Sequence, residues 1–310
     1  MSYFLGVDAG GTKTEFVLGD ETRELARLRV GSIKRMRVSA EVAEENLRSA
    51  VEQLQSLCGI SLRQVEHCRI GAAGNTVPLV TDWMKENFPR SIGGTLSIVN
   101  DVEIALDAAF PGGRGILVLA GTGSNLAARS THGVVTTAGG WGPALADQGS
   151  GHSLGHRALR RAFLALDQSR PSRLMDDICA FWKLSDHEQL VAFANQRPAP
   201  DFSRLAPLVV AAAEAEDAVA LEVIEREAAD LAELVLILIE RLRTLEPQGF
   251  TPPQIAYTGS VITHARPLRA ALIRRVSEQY PGITLLDAPA DPPLGALWGA
   301  RHASQKTAAL

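Results

Sequence analysis

A chain of 310 residues has room for two domains. Its 46% hydrophobic and 21% charged residues are those of an ordinary globular protein. Thirty-one basic against 35 acidic residues leave a net charge of −4 without a basic stripe, which argues against a nucleic-acid partner. The longest apolar helical run, Leu231 to Ile239, is too short and too flanked by charge to span a membrane. Cys58, Cys68 and Cys179 are scattered without a CxxC pair, so neither a zinc site nor a disulfide framework is indicated. Reduced core thiols in a cytoplasmic protein are expected. The N-terminus leads into a strand without the charged n-region and cleavage site of a signal peptide.

In chain order, strands are expected at 3–8, 14–19, 24–30, 67–72, 95–99, 115–120, 125–129, 254–258 and 283–286. The first two flank Asp8-Ala9-Gly10-Gly11-Thr12 and read as a hairpin whose turn has almost no side chains. Gly10 and Gly11 let backbone N–H groups approach a ligand, Thr12 and Thr14 add hydroxyls, and Asp8 suits a metal ion held through water. A polyphosphate with Mg²⁺ wants this set; an ordinary Gly-Gly hairpin with a turn-stabilising Asp uses the same residues. A helix at about 40–57 follows, with Ser39 as N-cap and Gly59 as stop. Its apolar stripe is Val42, Leu47, Ala50, Val51, Leu54 and Leu57. The strand Thr95 to Val99 ends in Asn100-Asp101, at the sheet edge where α/β proteins place ligand chemistry. Asp101 is therefore the candidate base for a hydroxyl proton; equally, Asp101 or Asn100 caps the helix Val102 to Phe110.

Pro111-Gly112-Gly113 reads as the boundary between two halves. Beyond it, Gly115 to Ala120 runs into Gly121-Thr122-Gly123-Ser124-Asn125, a second small-residue hairpin. Gly139-Gly140-Trp141-Gly142 and Asp147-Gln148-Gly149-Ser150-Gly151 come next. Trp141 reads either as a flat face for a ring ligand or as a core residue, whereas Asp147 is costly as an unpaired core carboxylate. His152 and His156 have a spacing that could hold a metal, but no third ligand is evident nearby. A largely helical insertion spans about 152–245, with a loop at Pro198-Ala199-Pro200. Its last helix, at 216–245, buries Val219, Val223, Ala228, Leu231, Val235, Leu238 and Leu242 and stops at Glu246-Pro247. Gly259-Ser260 follows the strand Gln254 to Tyr257 as a strand-to-helix turn. Pro292-Pro293 leads into Leu294 to Ala300, a helix of small residues suited to close packing.

Together these motifs resemble the N-acetylglucosamine kinase group within the BadF/BadG/BcrA/BcrD ATPase family. Asp8 to Thr14 is similar to that family's first phosphate motif, Gly121 to Asn125 to its second, and Gly139 to Gly151 to its sugar loop. The resemblance implies an α/β fold of two ribonuclease-H-like (actin-like ATPase) domains flanking a nucleotide cleft. The domains would be 1–111 and 112–294, with 295–310 a terminal helix packing back near the hinge. It also implies phosphorylation of an amino-sugar hydroxyl by ATP with Mg²⁺, Asp101 as base and Asp8 on the metal. Phosphates would be held by Gly10, Gly11, Thr12, Lys13, Gly121, Thr122, Gly123 and Ser124, and adenosine by Gly259 and Ser260. The last pair is a partial match, since the family usually shows two glycines there. Sugar would be held by Asn125, Gly140, Trp141 and Asp147. Where N-acetylglucosamine kinases carry a sugar-binding Asn after the third strand, this chain has Gly31-Ser32-Ile33-Lys34-Arg35. Lys34 offers only donors and a charge, so it either selects an anionic sugar such as N-acetylmuramic acid or belongs, with Arg35 and Arg37, to a solvated basic loop. The partner expected is a small sugar, with no nucleic acid and no membrane, and a homodimer among the expectations. The alternatives are an ATPase that drives a partner protein, whose cluster-binding cysteines do not match Cys58, Cys68 and Cys179, and a sugar sensor without turnover. Neither a Walker A motif nor the zinc motif of repressor-type sugar kinases is present.

Overall fold

The computed structural model describes residues 1–307. The chain forms two compact units, one of Met1–Gly115 with the segment from Ala290 onward, the other of Ile116–Pro289. The first unit thus runs past Pro111, and the chain rejoins it ahead of residue 295.

The first unit carries β1 (Tyr3–Ala9), β2 (Lys13–Gly19), β3 (Glu24–Gly31), α1 (Ala40–Cys58), β4 (Val65–Ala72), α2 (Pro78–Asn87), β5 (Thr95–Val99) and α3 (Asp101–Ala109). Its sheet has the order β3-β2-β1-β4-β5, with β1, β2 and β3 antiparallel and β1, β4 and β5 parallel. β1 is central, and Leu5, Val7 and Ala9 are buried on it. Ser39 caps α1 through the Val42 N–H, and Gly59 ends it in the left-handed conformation. The buried stripe is Ala43, Leu47, Ala50, Val51 and Leu54, while Val42 and Leu57 are exposed. Val42 stands off the face shared by those five residues, and Leu57 lies at its margin in the last turn.

The second unit carries β6 (Gly115–Ala120), β7 (Ser124–Arg129), β8 (Val135–Ala138), α4 (Gly151–Asp167), α5 (Leu174–Trp182), α6 (His187–Ala194), α7 (Ala206–Glu214), α8 (Ala218–Leu245), β9 (Ile255–Thr258), α9 (Ser260–His264) and α10 (Arg266–Gln279). Its sheet order is β8-β7-β6-β9, with β6 and β9 parallel. All seven stripe residues expected on α8 are buried, and Asp217 caps the helix through the Val219 and Ala220 N–H groups. The strand expected at 283–286 is a single parallel bridge between Ile255 and Leu285. Pro281-Gly282 before it and Pro289 after it leave little length for a ladder. β8, rich in threonine, carried no apolar signal.

α11 (Pro292–Thr307) belongs to the first unit and packs on α3, β1 and β4. Its small residues are required. A side chain at Gly295 would collide with the Ile104 carbonyl of α3. Arg27 fastens the segment's start by an ion pair to Asp291 (2.8 Å), and Arg301 donates to the Asp20 carbonyl (2.7 Å).

Candidate active site

In the first unit the chemistry gathers at the C-terminal ends of β1 and β5. The Gly10–Thr12 turn between β1 and β2 is braced from behind, where the Ser32 hydroxyl donates to the Gly10 carbonyl at 2.8 Å and accepts the Lys34 N–H at 3.1 Å. Thr14 is fully buried, and its hydroxyl oxygen accepts the Ile33 N–H at 3.2 Å. It is therefore structural, not a ligand for phosphate. Lys13 pairs with Glu15 at 2.9 Å. The 32–38 loop brings Arg37 over the turn, its Nε 3.6 Å from where a Cβ at Gly11 would stand. Arg35 turns into its own loop and donates to the Val38 carbonyl.

Asp101 opens α3, but the cap is Asn100. The Asn100 side chain accepts the Val102 N–H (3.2 Å), and Glu103 reaches back to the Asn100 N–H (3.3 Å), completing a capping box. Asn100 thus supplies the cap, and one Asp101 oxygen shares the Val102 N–H at 3.0 Å. Burial raises the Asp101 carboxyl above the ordinary range, opposed by the Lys34 charge and the Val102 N–H. Asp8 is pushed up to about 7, first by burial and then by the Asp101 and Glu15 carboxylates. Burial lowers the half-buried Lys34 ammonium, while Asp101 pulls it back up. Asp8, Asp101 and Lys34 thus form one electrostatic group.

In the second unit, the β6–β7 turn is held by its own backbone and by Asp147. The Gly121 N–H donates to the Gly123 carbonyl at 2.8 Å. Asp147 Oδ1 accepts the Ser124 N–H (2.7 Å) and hydroxyl (3.3 Å). So Gly121 and Ser124 spend their N–H groups internally, while no hydrogen bond from the Thr122 or Gly123 N–H is found among the described residues. Asp147 Oδ2, Asn125 Oδ1 and Gln148 Oε1 are buried acceptors without a partner among the described residues. Gly140 lies directly against the Asn125 side chain. Trp141, in the turn closed by Trp141 N–H to Ala146 carbonyl (3.2 Å), is 73% exposed and so is no core residue. Gln148 had no signal beyond its place beside Asp147.

Beside the turn lies a cavity of about 390 Å³. Gly121 and Thr122 line it together with Ala206, Val210 and Ala211 of α7, and with Ser260 and Val261 of α9. Gly259 is seated against Gly121 and the Ala120 carbonyl, which brings the β9–α9 turn to the β6–β7 turn. The sequence located Ser260 but missed the α7 wall, because an Ala- and Val-rich helix reads only as core. His152 and His156 stack on each other, and Phe202 meets His152 edge-on and His156 at a tilt. No group of three His, Cys, Asp or Glu able to hold a metal occurs among the described residues. The three cysteines are unpaired, and no helix among the described residues is long and apolar enough to cross a membrane.

The profile of the BadF/BadG/BcrA/BcrD ATPase family matches residues 5–300. An N-acetyl-D-glucosamine kinase of Dictyostelium discoideum is 28% identical, covering 94% of this chain and 96% of that one. An N-acetylmuramic acid/N-acetylglucosamine kinase of Clostridium acetobutylicum is 26% identical, covering 97% and 99%. Among solved structures, a candidate N-acetylglucosamine kinase from Chromobacterium violaceum superposes with a TM-score of 0.74 at 27% identity, covering 96% of this chain and 98% of that one.

Proposed function

The chain belongs to the BadF/BadG/BcrA/BcrD ATPase family, and on that premise we propose that it is an ATP-dependent kinase that phosphorylates a hydroxyl of an amino sugar. The observation that carries the substrate side is the trio of buried, unpartnered acceptors Asn125 Oδ1, Asp147 Oδ2 and Gln148 Oε1. Leaving a buried acceptor unmet costs about 1–3 kcal/mol, and a polyol supplies the O–H donors these atoms lack. The exposed indole of Trp141 adds an apolar face for the ring. Relatives named for N-acetylglucosamine and N-acetylmuramic acid support the amino-sugar class.

In this reading Asp101 accepts the proton of the attacking hydroxyl as the new O–P bond forms and the bond from the γ-phosphorus to the ADP oxygen breaks. Burial favours that role, since a carboxylate raised towards neutrality is the stronger base. The N–H groups of Gly10, Gly11 and Thr12 in one turn, and of Thr122 and Gly123 in the other, serve the phosphates. The cavity beside Ser260 takes the adenosine. The donor chemistry of the first unit fits Mg²⁺. The half-buried Asp8 beside Asp101 concentrates negative charge, and a hard cation that keeps its waters and binds phosphate oxygens needs few protein ligands. Asp8 would hold it, and the ion would neutralise charge on the phosphates. We further propose that Lys34 turns the preference towards an amino sugar bearing a carboxylate. It is half-buried beside Asp101, and Arg37 stands next to it over Gly11.

The test is ADP release with ATP and Mg²⁺ over a panel of neutral and acidic amino sugars. Sugar-dependent release above the basal rate is expected. A flat response across the panel overturns the kinase reading.

A further inference from the structure

Glu227 lies in the middle of α8, fully buried, in a chain position that the reaction as described leaves unused. Its carboxylate is not idle. Oε2 accepts the Gly149 N–H at 2.7 Å, and Oε1 accepts the Ser153 hydroxyl at 2.7 Å and Arg157 Nε at 2.5 Å. Arg157 also reaches Asp230, one turn further along α8, at 2.6 Å. A buried carboxylate is tolerated where a cation and further donors satisfy it, and here all are present.

What those donors belong to gives the residue its meaning. Gly149 sits two residues after Asp147 and two before Gly151. The Ser150 N–H returns to the Asp147 carbonyl (3.1 Å), and the Gly151 N–H donates to the Gly121 carbonyl (2.8 Å). Ser150 caps α4 through the Ser153 N–H (3.0 Å), and the Ser153 hydroxyl turns to Glu227. Glu227 therefore grips the segment on both sides of the α4 cap. α8 also fixes Gly149 sterically. Its backbone has φ +73°, and any side chain there would collide with Leu231, one turn from Glu227. One helix thus sets the register of the segment whose ends hold the Ser124 N–H and the Gly121 carbonyl.

We propose that Glu227 is a positioning residue that, through Gly149 and Ser153, fixes Asp147 and the Gly121–Ser124 turn in the geometry that sugar and phosphate require. The proposal deepens the kinase reading and rests on it.

Glu227→Gln is nearly isosteric but cannot accept on all sides. Its NH₂ group must face the Gly149 N–H or else the Ser153 and Arg157 donors. Ser153→Ala removes a single donor and leaves the ion pairs intact, which guards against a fold lost with the charge. Thermal melts establish the folded state, and kcat and KM are then measured for sugar and for ATP well below the melt. Expected for E227Q is a fall of roughly 10- to 100-fold in kcat/KM for the sugar, the scale of a small displacement of binding groups. The ATP KM should move less and S153A should show a smaller loss in the same sense. Deuterium uptake is measured in parallel on peptides covering 121–125 and 147–153. Faster exchange there in E227Q, with α10 unchanged, together with the fall in sugar kcat/KM supports the proposal. Wild-type exchange in both segments overturns it, as does unchanged sugar kcat/KM per folded molecule. A wild type without sugar-dependent turnover instead sinks the kinase reading, and the exchange result still decides what Glu227 holds.

Discussion

The Gly10–Thr12 and Gly121–Ser124 turns are alike in sequence and unlike in how they are kept in shape. The first is braced by a neutral hydroxyl, Ser32 on the Gly10 carbonyl, and its surroundings are charged: Asp8, Asp101, Glu15, Lys34 and Arg37. The second is braced by a carboxylate, Asp147, itself seated through Gly149 on Glu227. In the first region burial raises the proton affinity of Asp8 and Asp101, while Glu15, bonded to Lys13 and Arg29, is held below its ordinary range. The other spends one oxygen of its carboxylate on the Ser124 N–H and hydroxyl and leaves Asp147 Oδ2, Asn125 Oδ1 and Gln148 Oε1 without a partner among the described residues. On the function proposed above, two similar turns would carry different chemistry, proton and cation handling in the first and hydroxyl recognition in the second.

Exchanging each aspartate for its amide sharpens that contrast. Asp101→Asn removes the proposed base and is expected to lower kcat by roughly 10²–10⁴-fold. Because Asn100 and Glu103 hold the helix cap, the melting temperature should stay close to wild type. Near-normal turnover in this variant would leave Asp101 no part in proton transfer. Asp147→Asn should act differently. The amide oxygen still accepts the Ser124 N–H, but Oδ2 becomes a donor facing a hydroxyl. A sugar KM raised roughly 10- to 100-fold, with a smaller change in kcat, is expected from an acceptor interaction of about 1–3 kcal/mol. If Asp147→Asn loses kcat as Asp101→Asn does while sugar binding holds, the division between the two regions is wrong.

Much of this was legible in the sequence because small residues and strand ends leave local signatures. The apolar run to Val7 followed by Gly10-Gly11 marked the first turn, Asn100-Asp101 after Val99 marked the second carboxylate, and every residue expected in the α8 stripe is buried. What stayed hidden depends on contacts distant in the chain. Glu227 looks like a solvent-facing residue in a charged helix until α4 is packed on it. The Ser124 and Gly121 N–H groups look free until Asp147 and Gly123 are seen to take them. Thr14 looked like a ligand because nothing in its neighbourhood announces that Ile33 occupies it. Val42 and Leu57 were placed on the α1 stripe by helical spacing, but Val42 stands off the buried face and Leu57 lies at its margin in the last turn, and both are exposed.

Lys34 tests whether charge in the first region reaches the substrate. Competition between neutral and acidic amino sugars should favour the acidic one in the wild type. Lys34→Ala should lose about tenfold of that preference, the worth of one hydrogen bond to a charged group. An unchanged preference, or none in the wild type, makes Lys34 a residue of the basic loop and returns the choice of sugar to the second region.

The smallest effect comes from Asp8, and its sign is fixed by its surroundings. Its carboxyl titrates near 3.8 when unfolded and is pushed up to about 7 in the folded chain by burial and by Asp101, Glu15 and Asp291, against the pull of Lys13. Between those values the native state holds the proton that the unfolded state has released. The stability it contributes is present in full below about 4 and is lost as pH rises through about 7. Asp8→Asn cannot titrate, so its melting temperature should overtake that of the wild type by a few degrees as pH is raised from 5 to 8. A difference that stays flat across that range would show that Asp8 ionises at its ordinary value. Mg²⁺ favours the ionised carboxylate, so its stabilising effect on the wild type should be larger at pH 8 than at pH 6 and should vanish in Asp8→Asn. The second region predicts the control. Its carboxylate already accepts two donors from Ser124, and Asp147→Asn should leave the Mg²⁺ response as it was.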